Sequence, residues 1–85
     1  MSEEYNGWAN RSTWNVALWL NNDELLYKRA VHFMKAEKHI QSKNPYKSFI
    51  KDNNMELDKT PDGIKLISQS LDYKALNEMM LELVQ

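Results

Sequence analysis

The side chains of this chain that could take part in chemistry are two histidines, scattered carboxylates and a run of lysines. His32 and His39 would lie about 10.5 Å apart along a helix axis, so they cannot easily share one metal ion. No HExxH pattern accompanies them. The chain has no cysteine, which excludes thiolate metal sites and a cysteine nucleophile. The histidines therefore predict a polar helix face and no metal site.

The acidic stretch at residues 52–63 superficially resembles a calcium loop, since Asp52, Asn54 and Glu56 alternate there. Leu57 stands where such a loop needs glycine, and Gly63 stands where it needs a bidentate glutamate. With two glycines in the whole chain, there is also no phosphate-cradling loop and no dinucleotide fingerprint. We therefore expect a protein that is not an enzyme and that uses no cofactor.

Basic side chains are concentrated in the middle of the chain. Residues 28–51 carry seven basic side chains and one acid, whereas residues 1–27 and 52–85 have net charges of −3 and −4. At helical spacing, Lys28 and Lys35 follow one stripe with the two histidines, and Lys47 and Lys51 share one face of a later helix. The candidate binding residues of this segment are Lys28, Lys35, Lys38, Lys43, Lys47 and Lys51.

Three interpretations of this basic segment stay open. A lysine-rich face is what any solvated helix shows, and acids such as Glu78 and Glu82 could neutralise part of it. If the second and third helices form a hairpin, their lysines could instead meet an acidic protein patch or phosphates. The segment has Arg29 as its one arginine and the pI is near 6.1, which is far from the usual basic nucleic-acid reader.

Trp8, Trp14 and Trp19 stand unusually close together. Trp14 and Trp19 lie on a helix that is apolar on nearly every side, which predicts the central element that other helices surround. Trp8 precedes this helix and would fold across its start. With Tyr5 and Arg11 it forms a second candidate binding surface, because these residue types often anchor protein interfaces.

Capping residues and apolar periodicity predict four helices. Ser12 or Thr13 would cap a first helix over residues 14–21, and Asn22 or Asp23 a second over residues 24–40 or 24–41. Asn44 and Pro45 would begin a short third helix. Asp72 would cap a last helix with an apolar stripe formed by Leu76, Met79, Met80 and Leu83.

The resulting fold class is all-α, a single domain over residues 1–85 in which about four helices pack around the tryptophan-rich first helix. Residues 60–63 predict a β-turn with proline second and glycine fourth, followed by a possible minor extended segment at residues 64–67. No apolar stretch approaches the roughly 20 residues that cross a bilayer, and cysteine is absent. We therefore expect a cytoplasmic protein.

Three segments together resemble a family of small uncharacterised proteins found in bacteria and their phages: NGWANRSTWNVALWLNNDELLY at 6–27, TPDGI at 60–64 and LDYKALNEMMLEL at 71–83. The resemblance implies a compact helical domain of the kind that phages and mobile elements encode. It supplies no activity and no catalytic residues. Many small phage proteins act by binding and disabling a host enzyme, including restriction and CRISPR effectors, and this context favours a similar, anti-CRISPR-like role.

The predicted function is that of a non-enzymatic binding protein that inhibits or adapts a host protein. The partner would present an acidic or phosphate-like surface, with lysines steering the encounter and an aromatic residue supplying affinity. A direct nucleic-acid binder, sensitive to salt, is one alternative. A homodimer or other homo-oligomer built on spare apolar surface of the first helix, notably Trp19, is another.

Overall fold

The computed structural model of the chain describes residues 7–36 and 43–84. They form four α-helices: α1 (Arg11–Asn22), α2 (Glu24–Lys35), α3 (Pro45–Asp52) and α4 (Tyr73–Glu82). No β-strand forms in these two ranges, and the predicted extended segment at 64–67 contributes only an isolated antiparallel bridge between Lys65 and Lys59. The prediction of a small all-α domain is therefore confirmed.

α1 begins three residues earlier than predicted. Its N-cap is Asn10, whose side-chain oxygen accepts a hydrogen bond from the Thr13 backbone N–H at 2.8 Å. The expectation that Ser12 or Thr13 caps the helix is wrong, because the Asn10 side chain already satisfies an orphan N–H of the first turn. The predicted caps Asp23, Asn44 and Asp72 are confirmed.

Asp23 is the single residue that connects α1 to α2. Its backbone N–H donates to the Trp19 carbonyl at 2.9 Å, and its side chain accepts from the Leu26 N–H at 2.9 Å. It therefore ends one helix and caps the next. α2 is described as far as Lys35, with Ala36 as its C-cap, and the predicted continuation to residue 40 or 41 lies outside the described residues.

The segment between α3 and α4 contains two residues with a positive φ angle, one at its start and one in its turn. Asn54 has a φ of 57° and ends α3 in a Schellman motif, in which the Met55 N–H reaches the Ile50 carbonyl at 3.0 Å. The predicted turn at residues 60–63 is confirmed, since the Gly63 N–H donates to the Thr60 carbonyl at 2.8 Å. Gly63 has a φ of 86°, which glycine adopts without strain.

Tyrosine and phenylalanine fill the core more completely than tryptophan does. Tyr46 and Phe49 of α3 are fully buried, and the Phe49 ring meets Phe33 of α2 edge-to-face at 5.6 Å. Trp8 and Trp19 are only partly buried against this core. α2 and α4 each pack on the three other helices, whereas α1 packs mainly on those two, so the tryptophans take a smaller part in the interior than predicted.

The inward face of α1 carries small and aliphatic side chains where it meets α2 and α4. Of the four apolar residues predicted to form a stripe on α4, Leu76, Met79 and Met80 are buried and Leu83 is half-buried. The buried apolar residues contributed by α1 and α4 are Val16, Ala17, Leu20, Leu76, Met79 and Met80. These contacts bury the apolar area that drives folding of so short a chain.

A buried asparagine of α1 joins this helix to the turn at residues 60–63. The Asn15 side-chain oxygen accepts from the Thr60 hydroxyl at 2.7 Å, and its amide nitrogen donates to the Asp62 carboxylate at 2.6 Å. Asn15 and Thr60 are each 4% exposed, so the bond between them lies inside the protein, whereas Asp62 is exposed at its edge. Because its partners are distant in sequence, the Asn15 side chain neither caps a helix nor closes a local turn.

The start of α1 is joined in a similar way to the start of α4. The Asp72 N–H donates to the Thr13 hydroxyl at 2.9 Å, and that hydroxyl in turn donates to Asn10 Oδ1 at 2.8 Å. The Asn10 amide donates to the Ser70 carbonyl at 2.7 Å. We call both networks together the polar seam, which comprises Asn10, Thr13, Asn15, Thr60, Asp62, Ser70 and Asp72.

Candidate functional site

The outer side of α2 carries a groove with apolar and basic walls. Its volume is about 270 Å³. Tyr27 and Val31 are one helical turn apart and supply its apolar surface, because positions i and i+4 share a helix face. We call this groove the α2 basic face, and its lining residues are Tyr27, Lys28, Val31, His32 and Lys35.

Helix periodicity sets the arrangement of the α2 basic face. Leu26, Ala30 and Phe33 are buried against the other helices, which leaves the opposite side of α2 to solvent. Tyr27 is 39% exposed, although burying so large a ring in the core would remove much apolar surface from water. An amphipathic aromatic side chain held at a groove of this kind is well suited to anchor a partner.

The charge of the α2 basic face is positive. Lys28 forms an ion pair with Glu24 one turn earlier, with Nζ and Oε1 3.0 Å apart. Both side chains are well exposed, and exposed pairs at this spacing contribute only about 0.3–0.5 kcal/mol. Such a pair opens easily, so Lys28 can turn towards an incoming acidic group, as exposed Lys35 can.

A second groove lies on the other side of Lys28 and His32, where α2 meets the end of α3. It also has a volume of about 270 Å³. Asp52 lies in its wall, so its potential is less positive than that of the α2 basic face. The lining residues are Lys28, Arg29, His32, Phe33, Ala36, Asp52 and Asn53.

The lysines of α3 are not part of the α2 basic face. Lys47 is half-buried, with its Nζ 4.5 Å from the centre of the Tyr73 ring at the start of α4. This cation–π contact ties Lys47 to α4. Lys43 and Lys51 are exposed, and Lys38 lies outside the described residues together with His39.

Trp8 and Arg11 belong to a different surface. Trp8 is half-buried and lines a groove of about 140 Å³ on α1 with Trp14 and Leu18. It also lines a groove of about 210 Å³ beside Glu78 and Glu82 of α4. Arg11 is exposed at the first position of α1, and Tyr5 lies outside the described residues.

The sequence placed the lysines and the aromatic residue Trp8 in one binding mechanism, but in the structure they lie on separate surfaces. Lys28 and Lys35 share a groove with Tyr27, whereas the grooves at Trp8 are lined by α1 and α4. Tyr27 and Val31 were missed as site residues. Their signal was an i, i+4 pair of apolar residues on the lysine-bearing side of the helix.

The most strongly perturbed titratable side chain of the described residues is structural. Burial raises the pKa of the Tyr46 phenol above its usual range, and the neighbouring Tyr73 phenol raises it further. The Tyr46 hydroxyl donates to the Leu66 carbonyl at 2.7 Å inside the core. The described parts of the chain bring together no group of three or more histidine or carboxylate side chains able to hold a metal ion.

The fold and its surface define a small four-helix domain with a basic, partly apolar groove on its second helix. In residues 7–36 and 43–84, no helix is both long enough and apolar enough to span a bilayer. The chain belongs to DUF7249, a family of unknown function, whose family model matches residues 1–85. The predicted membership in an uncharacterised family is therefore confirmed. No curated protein and no solved structure matches the chain.

Proposed function

We propose that this protein is a non-enzymatic binding protein, encoded by a phage or mobile element, that occludes a surface of a host protein. The host protein would belong to a defence or nucleic-acid-processing complex, as an anti-CRISPR-like role implies. The observation that carries the proposal is the α2 basic face, where Tyr27 and Val31 line one groove together with Lys28 and Lys35.

The groove favours a partner of defined chemistry. Its apolar wall suits an apolar side chain, and its lysines suit acidic or phosphate-like groups beside that side chain. Lys28 and Lys35 would steer the encounter, and Tyr27 would supply the anchor. In this mechanism the anchor is Tyr27 rather than Trp8, because Tyr27 lies in the same groove as the two lysines.

Tyrosine and lysine side chains would contribute to binding in different ways. A buried tyrosine at the centre of an interface contributes on the order of 2 kcal/mol, which corresponds to roughly 30-fold in affinity. Exposed lysines contribute mainly to the association rate, and their effect falls as salt screens the charges. The proposed complex would therefore associate faster at low salt and owe most of its lifetime to Tyr27.

The test is affinity capture of the tagged protein from host lysate, with and without nuclease, followed by mass spectrometry. The site variant is Tyr27→Ala/Lys35→Glu. The matched control is Leu81→Ala/Lys59→Glu, which also removes an exposed apolar side chain and reverses one exposed lysine away from the groove. We expect one host protein that survives nuclease, is lost with the site variant and is kept with the control.

Two results would contradict the proposal. Retention that disappears with nuclease would make the α2 basic face a nucleic-acid site, and its affinity should then fall steeply with salt. Retention that is equal in the site variant and the control would place the interface elsewhere. A homo-oligomer built on Trp19 would be unaffected by either variant, since Trp19 lines a separate groove with Leu18 and Pro61.

A further inference from the structure

Leu57 is the most exposed large apolar side chain of the described residues, with 95% of its surface open to solvent. It follows the end of α3 and stands between Glu56 and Asp58, which are both exposed. A leucine between two carboxylates has the chemistry that the α2 basic face would bind.

Hydrogen bonds hold Leu57 at the tip of a defined turn. The Asp58 N–H donates to the Met55 carbonyl at 3.0 Å, which places Glu56 and Leu57 at the two central turn positions. The Asp58 carbonyl accepts from the Leu66 N–H at 3.2 Å, so the turn is also fixed to the chain that follows. The backbone that presents Leu57 is therefore ordered before binding, which lowers the backbone entropy lost on binding.

The α2 basic face matches this turn in size and charge. The groove is open to solvent and its volume is about 270 Å³, which leaves room for a leucine side chain to lie along it. Tyr27 and Val31 would contact the leucine, and Lys28 and Lys35, which line the same groove, would meet the two flanking carboxylates. Within one chain Leu57 does not occupy this groove, because it is almost completely exposed.

We propose that Leu57 of one copy of this chain docks in the α2 basic face of a second copy, with Glu56 and Asp58 opposite Lys28 and Lys35. The inference rests on the proposed function, because it assigns a second occupant to the same groove. The turn and the groove are different surfaces, so the contact is heterologous.

One apolar anchor and two exposed ion pairs make a small contact, which places it among weak and transient interfaces. Self-association then occurs at high local concentration and is absent when the protein is dilute. A host partner and a second copy exclude each other from the groove. Self-association would therefore limit the fraction of molecules free to bind the host protein when the protein is abundant.

Sedimentation velocity from micromolar to millimolar concentration tests this contact. The wild-type protein should show an average mass that rises with concentration, and less so at high salt. Leu57→Ser should remain monomeric, and so should Lys35→Glu. A mixture of these two variants should associate, because one retains an intact groove and the other an intact turn. The control Val84→Ser, which also removes an exposed apolar side chain, should behave as wild type.

The inference is overturned if the wild-type protein is monomeric throughout, if Leu57→Ser associates as the wild type does, or if the mixture stays monomeric. Host capture separates this failure from that of the proposed function. Leu57→Ser leaves the groove intact and should still retain the host protein. If the wild-type protein does not self-associate but host capture is lost with Tyr27→Ala/Lys35→Glu, only the second-copy contact is wrong. If Tyr27→Ala/Lys35→Glu still retains the host protein, the proposed host site is wrong.

Discussion

The polar seam and the α2 basic face use polar side chains in opposite ways. In the seam, Asn15, Thr60 and Thr13 are buried and hydrogen-bond across distant parts of the chain. On the α2 basic face, Lys28 and Lys35 are exposed beside a partly exposed tyrosine. The segments that make this sequence recognisable thus largely build the fold. The less distinctive lysines, Lys28 and Lys35, remain exposed on the surface.

The largest stability effect should come from Asn15→Ala in the seam. The substitution leaves the buried Thr60 hydroxyl without its acceptor and the Asp62 carboxylate without its donor. We expect a loss of about 2–3 kcal/mol in the free energy of unfolding. Urea unfolding followed by circular dichroism measures it.

Asn22→Ala is the matched control for this variant, because Asn22 is exposed at the last position of the same helix. It should change stability by less than about 0.5 kcal/mol. Equal losses in Asn15→Ala and Asn22→Ala would remove the distinction between a structural seam and a solvated surface.

An intermediate effect should come from Tyr46→Phe, which removes a buried hydroxyl. Its comparison is Tyr27→Phe, which removes the hydroxyl of a partly exposed tyrosine. Loss of the hydrogen bond to the Leu66 carbonyl should cost about 1–2 kcal/mol at neutral pH, whereas Tyr27→Phe should be nearly neutral. Urea unfolding of the two variants at one pH gives this difference. A neutral Tyr46→Phe would contradict the structural role assigned to the phenol.

Tyr46 also makes the stability of the fold depend on pH. Burial raises the pKa of Tyr46 in the folded chain above the ordinary tyrosine value of 10.0, so the folded state retains a proton that the unfolded state releases. This contribution to stability is complete below about pH 10 and falls as the pH rises above it. The alkaline decline of stability, measured by urea unfolding at several pH values, should therefore be steeper in wild type than in Tyr46→Phe.

The smallest stability effect should come from Tyr27→Ala/Lys35→Glu on the α2 basic face. Both side chains reach solvent, so the free energy of unfolding should change by no more than about 0.5 kcal/mol. Thermal and urea unfolding should give nearly the wild-type curves even where host capture is lost. A strongly destabilised variant would show that Tyr27 supports the fold, and its loss of binding would then carry no weight.

Local sequence signals predicted the elements of the fold well. Asp23, Asn44 and Asp72 cap helices as expected, and the turn at residues 60–63 forms, because caps and turns depend on residues three or four positions apart. The start of α1 was misplaced because Ser12 and Thr13 are as suitable for capping as Asn10. Long-range hydrogen bonds distinguish them: the Asp72 N–H donates to the Thr13 hydroxyl, and the Asn10 amide donates to the Ser70 carbonyl.

Features that depend on packing were harder to predict. Asn15 gave no sign of its long-range partners, since Thr60 and Asp62 come 45 and 47 positions later. The candidate site was predicted in part, because helical spacing placed Lys28 and Lys35 on one stripe. Lys47 was grouped with them by charge, yet Tyr73 holds it at α4. Exposure of Tyr27 and Leu57 could not be read from composition, because it follows from which faces the other helices cover.

The seam also bears on how fast the domain folds and unfolds. Its bonds join residues up to 60 positions apart, whereas the helix caps join residues three apart. Closing such long loops costs more chain entropy than forming a helical turn, so we expect the seam to form after the folding transition state. Interactions that form late slow unfolding without accelerating folding. The polar seam would then set how long each molecule stays folded, and so how long it resists a protease in the cell.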